Sequence, residues 1–197
     1  MMQEEDAYIS RLLEKLSTVE DKELIGLVRK LIEERNYLSQ IANIDTLTGL
    51  NNRRVLGRIR DFGSILMCDI DNFKAINDNY GHDIGDMAIK GVGQILQESV
   101  RTADYVCRFG GDEFIIIFSN SCTEEVVKER AEEIRQKVKD KLRLGDHQIT
   151  LSMGVAKREA EEKIEDVMKK ADAALYASKS AGKDRISVYE QTHEKRL

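Results

Sequence analysis

A pair of glycines between two apolar runs is the feature that most constrains how this chain folds. Residues 104–109 precede Gly110-Gly111 and residues 113–118 follow them, and both runs are short and rich in apolar and aromatic residues. Such runs are typical of β-strands, and two glycines supply the backbone freedom that a tight turn requires. The segment is therefore predicted to be a β-hairpin, with the adjacent acids Asp112 and Glu113 at its polar tip.

A second acidic site follows another apolar run, at residues 64–68, which leads into Asp69, Ile70 and Asp71. A carboxylate at the end of a buried strand needs a partner, and a divalent cation is one that carboxylates bind well. We therefore predict a divalent-metal site that combines Asp69 with the hairpin acids. A helix cap or turn is the alternative role for Asp69, and it is the interpretation we prefer for Asp71.

Composition and charge exclude several classes of protein. A chain of 197 residues with 41% hydrophobic content is long enough for one catalytic-size domain and a short appendage. The net charge of −5 argues against a nucleic-acid partner bound through a broad basic face. No run approaches the roughly 18 apolar residues of a membrane helix, and the acidic start does not resemble a signal peptide, so we expect a cytoplasmic protein without a membrane segment. The scattered cysteines and histidines give no support to a zinc site.

Apolar residues at helical spacing indicate that residues 1–43 form a helical segment. One apolar stripe covers residues 9–16 and another covers residues 24–41, and the capping-box pattern at residues 17–20 predicts a break between two helices. In the second stripe a leucine recurs at every seventh position, at Leu24, Leu31 and Leu38. This spacing permits a coiled-coil seam with a second copy of the chain, and packing of the helix on its own domain is the alternative.

From residue 45 the pattern alternates between strands and helices, which predicts a sheet layered by helices in an α/β or α+β domain. The predicted helices are residues 51–61, 73–80, 83–100, 123–142 and 162–181. The predicted strands are residues 63–70, the two arms of the hairpin 104–118, and residues 147–155 and 185–190. We assign residues 1–43 to a helical extension, 44–190 to the catalytic domain and 191–197 to a tail.

The polar stretch at residues 72–86 has the side chains of a nucleotide site. A helix that begins after the buried strand offers free backbone amides to phosphate, and Lys74 adds positive charge. Asn77 and Asp86 together suit a guanine edge, because an amide both donates and accepts while a carboxylate accepts from the base N–H groups. Each of the two alone is also an ordinary turn residue, which is the alternative.

These segments resemble, in order, the motifs of the GGDEF domains of bacterial diguanylate cyclases. The matching segments are Asp45–Arg54, Asp69–Lys74 with Asn77 and Asp78, Gly81–Asp86, and Arg108–Phe114. The resemblance covers roughly residues 45–190 and implies an α+β fold with a five-stranded sheet flanked by helices, akin to the palm of nucleotide polymerases and adenylyl cyclases. It also implies an enzyme that condenses two GTP into cyclic di-GMP and releases two pyrophosphates.

The resemblance further implies a role for each matching residue. Asp69, Asp112 and the main-chain carbonyl of Ile70 would bind Mg²⁺ or Mn²⁺, with two cations in each active site. Glu113 would be a second catalytic acid that assists the metals or the attacking hydroxyl. The residues that would bind GTP are Asn77 and Asp86 at the guanine, and Phe73, Lys74, Lys179 and Lys183 at the phosphates.

The closing segment, Tyr176–Arg185, resembles the family's basic motif, with Asp184 where asparagine is more usual. We interpret Asp184 as a mild change in turn chemistry. The alternative for Lys179 and Lys183 is a solvated helix end favoured by the helix dipole.

Arg101 and Asp104 match an Arg-x-x-Asp inhibitory site, which implies inhibition by the product cyclic di-GMP; a surface ion pair is the alternative. Arg108 has two possible roles, in the hairpin or in a second inhibitory contact.

One GTP per domain implies a homodimer, with the N-terminal helices holding the two copies together. Three other functions are weighed against the cyclase. An enzyme that makes cyclic GMP-AMP is disfavoured by the presence of Asp86. A catalytically silent module that binds GTP or cyclic di-GMP is disfavoured by the intact motif at Gly110–Phe114. A purely structural dimerisation protein gives no reason for the cluster of carboxylates.

Overall fold

The computed structural model describes residues 9–12, 14–15, 22–145 and 147–190. Within these ranges the chain divides into two compact units, one that ends at Ile44 and one that begins at Asp45. The capping-box pattern at residues 17–20 and the tail at residues 191–197 lie outside the described residues.

The first unit is helical, as its apolar stripes predict. Residues 9–12 and 14–15 are helical, and helix α1 spans Lys22–Ile41. The large apolar side chains of α1 at Leu24, Leu27, Leu31, Tyr37 and Leu38 are exposed. None of the helices in the described ranges is both long and apolar enough to cross a membrane.

The second unit is built on a six-stranded sheet. Its strands are β1 (Asn51–Asn52), β2 (Ser64–Ile70), β3 (Tyr105–Gly110), β4 (Glu113–Phe118), β7 (Leu151–Lys157) and β8 (Arg185–Val188). They lie in the order β1-β3-β4-β2-β7-β8; the central pairs are antiparallel, and the outer pairs β1–β3 and β7–β8 are parallel. A separate ribbon pairs β5 (Arg143–Leu144) with β6 (His147–Gln148).

Helices cover both faces of this sheet. They are α2 (Phe73–Tyr80), α3 (His82–Glu98), α4 (Glu124–Lys141) and α5 (Ile164–Ser180), and a 3₁₀ helix spans Arg53–Arg58. One buried cluster joins α3 and α4 to Leu66 and Cys68 of β2, and the other joins α5 and the 3₁₀ helix to Ile65 and Met67. Because β2 is buried on both faces, its sequence is a continuous apolar run rather than an alternating one.

Two sequence predictions of secondary structure differ from the structure. The helix predicted over residues 51–61 is a 3₁₀ helix that spans only Arg53–Arg58. Asn51 and Asn52 pair with β3 instead, and Asn51 Nδ2 donates to Val106 O at 3.0 Å. The resulting strand β1 adds a sixth strand to the five expected. The predicted strand 147–155 is split, since residues 147–148 pair with β5 and the sheet strand β7 begins at Leu151. The remaining predicted elements are confirmed.

Candidate active site

The acids of the hairpin and of strand β2 meet at one edge of the sheet. Asp69 lies directly opposite Glu113 in the β2–β4 pairing, and the amide of Ile70 donates to the carbonyl oxygen of Asp112 at 3.3 Å. Gly111 has a φ of 53°, a left-handed conformation that glycine adopts without strain. The turn therefore brings Asp112 and Glu113 to the end of β2, where the sequence analysis expects a joint acidic site.

Asp69 is the most buried of these acids, at 8% exposure. Burial raises the pKa of Asp69 to about 6; a hydrogen bond from Lys179 opposes the rise, and the negative charge of Asp112 adds to it. The ammonium group of Lys179 lies 2.6 Å from Asp69 Oδ2. The positive charge of Lys179 thus already favours the ionised form of the Asp69 carboxylate. A divalent cation at the same place would favour it more strongly.

The donor set fits Mg²⁺ better than a metal that needs a complete protein cage. Among the described residues, no three His, Cys, Asp or Glu side chains are grouped closely enough to hold a metal by themselves. Asp69 and Asp112 have carboxylate oxygens, and Mg²⁺ commonly binds one or two carboxylates and completes its shell with substrate phosphates and water. The residues present therefore fit a magnesium site that is completed by a nucleotide.

Asp71 has a structural role instead. Its carboxylate is 4% exposed and accepts hydrogen bonds from Thr150 Oγ1 at 2.7 Å, from Ser152 Oγ at 2.6 Å and from the backbone amide of Asp184 at 3.0 Å. These bonds join the end of β2 to the start of β7 and to the turn before β8. Asp71 is therefore neither a helix cap nor a local turn residue, because its partners lie 79, 81 and 113 positions away along the chain.

The loop between β2 and α2 forms a second part of the site. Asn72 has a φ of 57°, so the chain makes a left-handed turn directly before α2, which begins with Phe73 and Lys74. Lys183 Nζ donates to Asn72 Oδ1 at 2.5 Å, and Lys183 thereby joins Lys179 at the same edge of the sheet. Asn72 is not among the site residues predicted from the sequence. The residue type was the one available indication, since asparagine tolerates this left-handed conformation better than most residues.

Asn77 and Asp86 lie on the neighbouring helices α2 and α3. Asn77 Oδ1 is buried and has no hydrogen-bond partner among the residues described. A Cβ atom at Gly85 would lie 1.9 Å from this oxygen, so only glycine leaves room for the Asn77 side chain. A buried acceptor without a partner is unfavourable. Asp86, next to Gly85, is exposed.

Arg108 fixes the shape of the hairpin tip. Its Nε and Nη2 donate to Gly111 O at 2.9 and 2.8 Å, and its Nη1 donates to Asp45 Oδ1 at 3.2 Å. Burial tends to raise the pKa of Asp45, but hydrogen bonds from Thr48 and Arg108 outweigh it and hold that pKa below its ordinary value. Of the two roles considered for Arg108, these contacts support the one in the hairpin.

Most of the chain matches the model of one known protein family. The family model described as the diguanylate cyclase GGDEF domain matches residues 42–185. The chain belongs to the GGDEF family of diguanylate cyclases. This GGDEF domain is 37% identical over 182 residues to diguanylate cyclase DosC of Escherichia coli K12, and 35% identical over 192 residues to a diguanylate cyclase of Vibrio cholerae serotype O1. The alignments cover 85% and 87% of this chain, but only 39% and 59% of those relatives.

A solved relative confirms the fold. The coiled coil and GGDEF domain of DgcB from Caulobacter crescentus, determined in complex with c-di-GMP, matches this GGDEF domain with a TM-score of 0.70 and 32% identity. The match covers 84% of this chain and 97% of that one. The α+β sheet of the palm type is thus shared with GGDEF domains of known structure.

The Arg-x-x-Asp segment of this GGDEF domain forms a turn before β3. Asp104 accepts from the backbone amide of Arg101 through Oδ2 and from the amide of Ser119 through Oδ1, each at 3.0 Å. The Asp104 carboxylate therefore holds the turn in place, and the side chain of Arg101 is exposed.

Proposed function

We propose that this GGDEF domain catalyses the condensation of two GTP molecules into cyclic di-GMP with release of two pyrophosphates. The observation that carries the proposal is the meeting of Asp69, Asp112 and Glu113 with Lys179 at one edge of the sheet. Acids of this kind beside phosphate-binding cations suit phosphoryl transfer, in which positioning and charge stabilisation supply most of the catalysis. The relatives named diguanylate cyclases support the same reaction.

In this proposal Asp69, Asp112 and the Ile70 carbonyl hold Mg²⁺ or Mn²⁺. Divalent cations held there would supply positive charge to the attacking 3′ oxygen and to the leaving pyrophosphate. Glu113, across the β2–β4 pairing from Asp69, assists the metals or the attacking 3′ hydroxyl. The backbone amide of Phe73 and the side chains of Lys74, Lys179 and Lys183 bind the phosphates.

Guanine specificity is assigned to Asn77 and Asp86. The Asn77 amide forms a hydrogen bond with the base, while the Asp86 carboxylate accepts from the guanine ring N–H or amino group. Adenine offers no matching pair of donors to the carboxylate, so this arrangement supports GTP as the substrate for both halves of the product.

A homodimer completes the reaction, because each domain presents a single nucleotide site and the product contains two guanylates. Residues 1–43 are proposed to join the two copies, with the exposed Leu24, Leu31 and Leu38 of α1 at the seam. Such a connection raises the effective concentration of one domain near the other.

The test is chromatography with mass detection of the purified chain incubated with GTP and Mg²⁺, with ATP added in a parallel sample. We expect cyclic di-GMP as the only cyclic dinucleotide. Its rate of formation per protein molecule is expected to rise with protein concentration until all of the protein is dimeric. Guanine nucleotide binding without any product would contradict the cyclase and favour the silent binding module. A mixed product from GTP and ATP would contradict the assigned specificity.

Replacing Gly85 by alanine is expected to weaken GTP binding by about tenfold, the equivalent of ~1.4 kcal/mol. The new methyl group would displace the Asn77 side chain, because its position lies 1.9 Å from Asn77 Oδ1. Calorimetric titration with a GTP analogue that cannot react measures the affinity. Gly91→Ala is the control on the same helix, since its methyl group meets only the flexible end of Leu142. Equal affinities of Gly85→Ala and the unchanged protein would contradict the role of Asn77.

Product inhibition is proposed at the turn that contains Arg101. An arginine side chain can hold a guanine or phosphate through two hydrogen bonds, and that of Arg101 is exposed. Arg101→Ala is expected to prolong the linear phase of turnover and to lower the amount of co-purified cyclic di-GMP. Thr102→Ala is the control in the same turn. Asp104 is left intact because its carboxylate holds the turn; unchanged progress curves for Arg101→Ala would refute the inhibitory role.

A further inference from the structure

The turn between α5 and β8 has a backbone that needs support. Three consecutive residues have positive φ angles, at 112° for Gly182, 64° for Lys183 and 45° for Asp184. Glycine adopts this region freely and aspartate tolerates it, but a lysine seldom does. Contacts from the surrounding structure must therefore hold the turn in this conformation.

Asp184 supplies those contacts in two directions. Its backbone amide donates to Asp71 Oδ2 at 3.0 Å, which joins the turn to the end of β2. Its carboxylate forms ion pairs with Arg135 and with Lys139 of α4, and the Lys139 pair measures 2.7 Å. Arg135 also donates to the carbonyl oxygen of Asp184 at 3.4 Å. The turn is thus held between the sheet and α4.

These ion pairs are partly shielded from water. The side chains of Arg135, Asp184 and Lys139 are 13%, 25% and 32% exposed. Burial tends to raise the pKa of Asp184, but the hydrogen bonds from Lys139 and Arg135 outweigh it and hold that pKa below its ordinary value. Pairs in such surroundings are less screened than those on an open surface, so their loss is expected to be measurable.

The same turn carries the basic residues of the candidate active site. Lys183 is bonded through its amide to Ser178 O at 3.0 Å, and its ammonium group reaches Asn72 in the loop before α2. Lys179, at the end of α5, contacts Asp69. A shift of Asp184 would move Lys183 directly, because the two residues are adjacent in a turn with little freedom.

We propose that Asp184, with Arg135 and Lys139 of α4, positions Lys183 for the phosphates of the bound nucleotide. The proposal rests on the function proposed above and extends the site to helix α4, which lies outside the sequence motifs that resemble the family. Asparagine also tolerates the left-handed conformation, but it carries no charge with which to pair Arg135 and Lys139. The three residues are therefore positioning residues that act through Lys183, and they do not contact the reacting atoms.

The test compares Asp184→Asn with the unchanged protein in two calorimetric titrations with Mg²⁺. One uses a GTP analogue that has a methylene bridge between the α and β phosphates, and the other uses GMP. We expect the affinity for the analogue to fall about fivefold to tenfold, which lies within the range for coupled neighbouring residues. The affinity for GMP is expected to stay the same, because GMP lacks the phosphates assigned to Lys183.

Further variants distinguish positioning from general damage. Arg135→Gln leaves the turn sequence intact and is expected to cause a similar loss of affinity, whereas Arg135→Lys is expected to keep most of the affinity. Arg135→Gln combined with Asp184→Asn is expected to lose little more affinity than either change alone. The control is Glu162→Gln, which removes the 2.7 Å ion pair between Glu162 and Lys170. This ion pair is about as buried as that of Asp184 with Arg135, and its loss is expected to leave the affinity for the analogue unchanged.

Two outcomes overturn the positioning role: unchanged affinity of Asp184→Asn for the analogue, or an equal loss of affinity for the analogue and for GMP. A different outcome separates this proposal from the function on which it rests. If the unchanged protein binds neither the analogue nor GMP, the result contradicts the proposed function itself. The positioning role, which depends on that function, is then contradicted as well.

Discussion

Asp112→Asn is expected to lower the rate of cyclic di-GMP formation by about a thousandfold, equivalent to ~4 kcal/mol of transition-state stabilisation. The amide has nearly the shape of the carboxylate but lacks the charge with which the proposed site binds a divalent cation. Initial rates with saturating GTP and Mg²⁺ measure the effect. Asp172→Asn is the matched control, because it removes the same charge from an exposed position on α5.

A thermal-unfolding experiment separates loss of the metal site from loss of the fold. Asp112 adds negative charge beside the buried Asp69, so its neutralisation is not expected to destabilise the metal-free chain. Mg²⁺ with a non-reacting GTP analogue is expected to raise the melting temperature of the unchanged protein but not that of Asp112→Asn, because ligands that bind only the native state stabilise it. A variant that keeps more than about a tenth of the original rate would rule out Asp112 as a metal ligand.

The largest expected effect on stability is that of Gly154→Ala. Gly154 lies in β7, where a Cβ atom would be 2.2 Å from Ala171 O and 2.2 Å from Leu175 N, both backbone atoms of α5. No side-chain rotation relieves such a contact, so α5 has to move away from the sheet. We expect the free energy of unfolding to fall by about 3 kcal/mol or more, at the upper end of the range for overpacked cores.

Urea unfolding followed by circular dichroism measures this change through the midpoint of the transition. Gly110→Ala is the control, because no atom lies within 4 Å of the position its Cβ would take. Its midpoint is expected to stay close to that of the unchanged protein. A midpoint for Gly154→Ala equal to that of the control would show that α5 has more freedom to move than its packing indicates.

The local pattern of apolar and polar residues was sufficient to predict most of the secondary structure. The apolar run that ends at Asp69 is buried on both faces and forms a central strand, and the glycines between the hairpin arms form the turn that was expected. The prediction failed at Asn51 and Asn52, which pair with β3 and not with the helix that follows; Asn51 forms a hydrogen bond with Val106, 55 positions away. The secondary-structure preference of a short segment does not indicate a pairing partner that lies so far away in the sequence.

The same limit applies within the candidate site. Residue type and motif spacing pointed to Asp69, Asp112 and Glu113, because buried strand ends and glycine turns present acids together. The sequence suggested only a mild change in turn chemistry at Asp184, and its pairing with Arg135, 49 positions earlier, became visible only in the folded chain.

The sequence by itself determined most of the elements and the chemistry of this protein: its longer strands and helices from apolar periodicity, and its acidic and basic motifs from residue type and order. Only the tertiary structure showed the contacts that no sequence motif predicts. Lys183 reaches Asn72 across 111 positions and Asp184 reaches Asp71 across 113, because sheet pairing brings the end of β2 beside the turn before β8. Local preferences act over a few residues, whereas such contacts depend on the packing of the whole sheet.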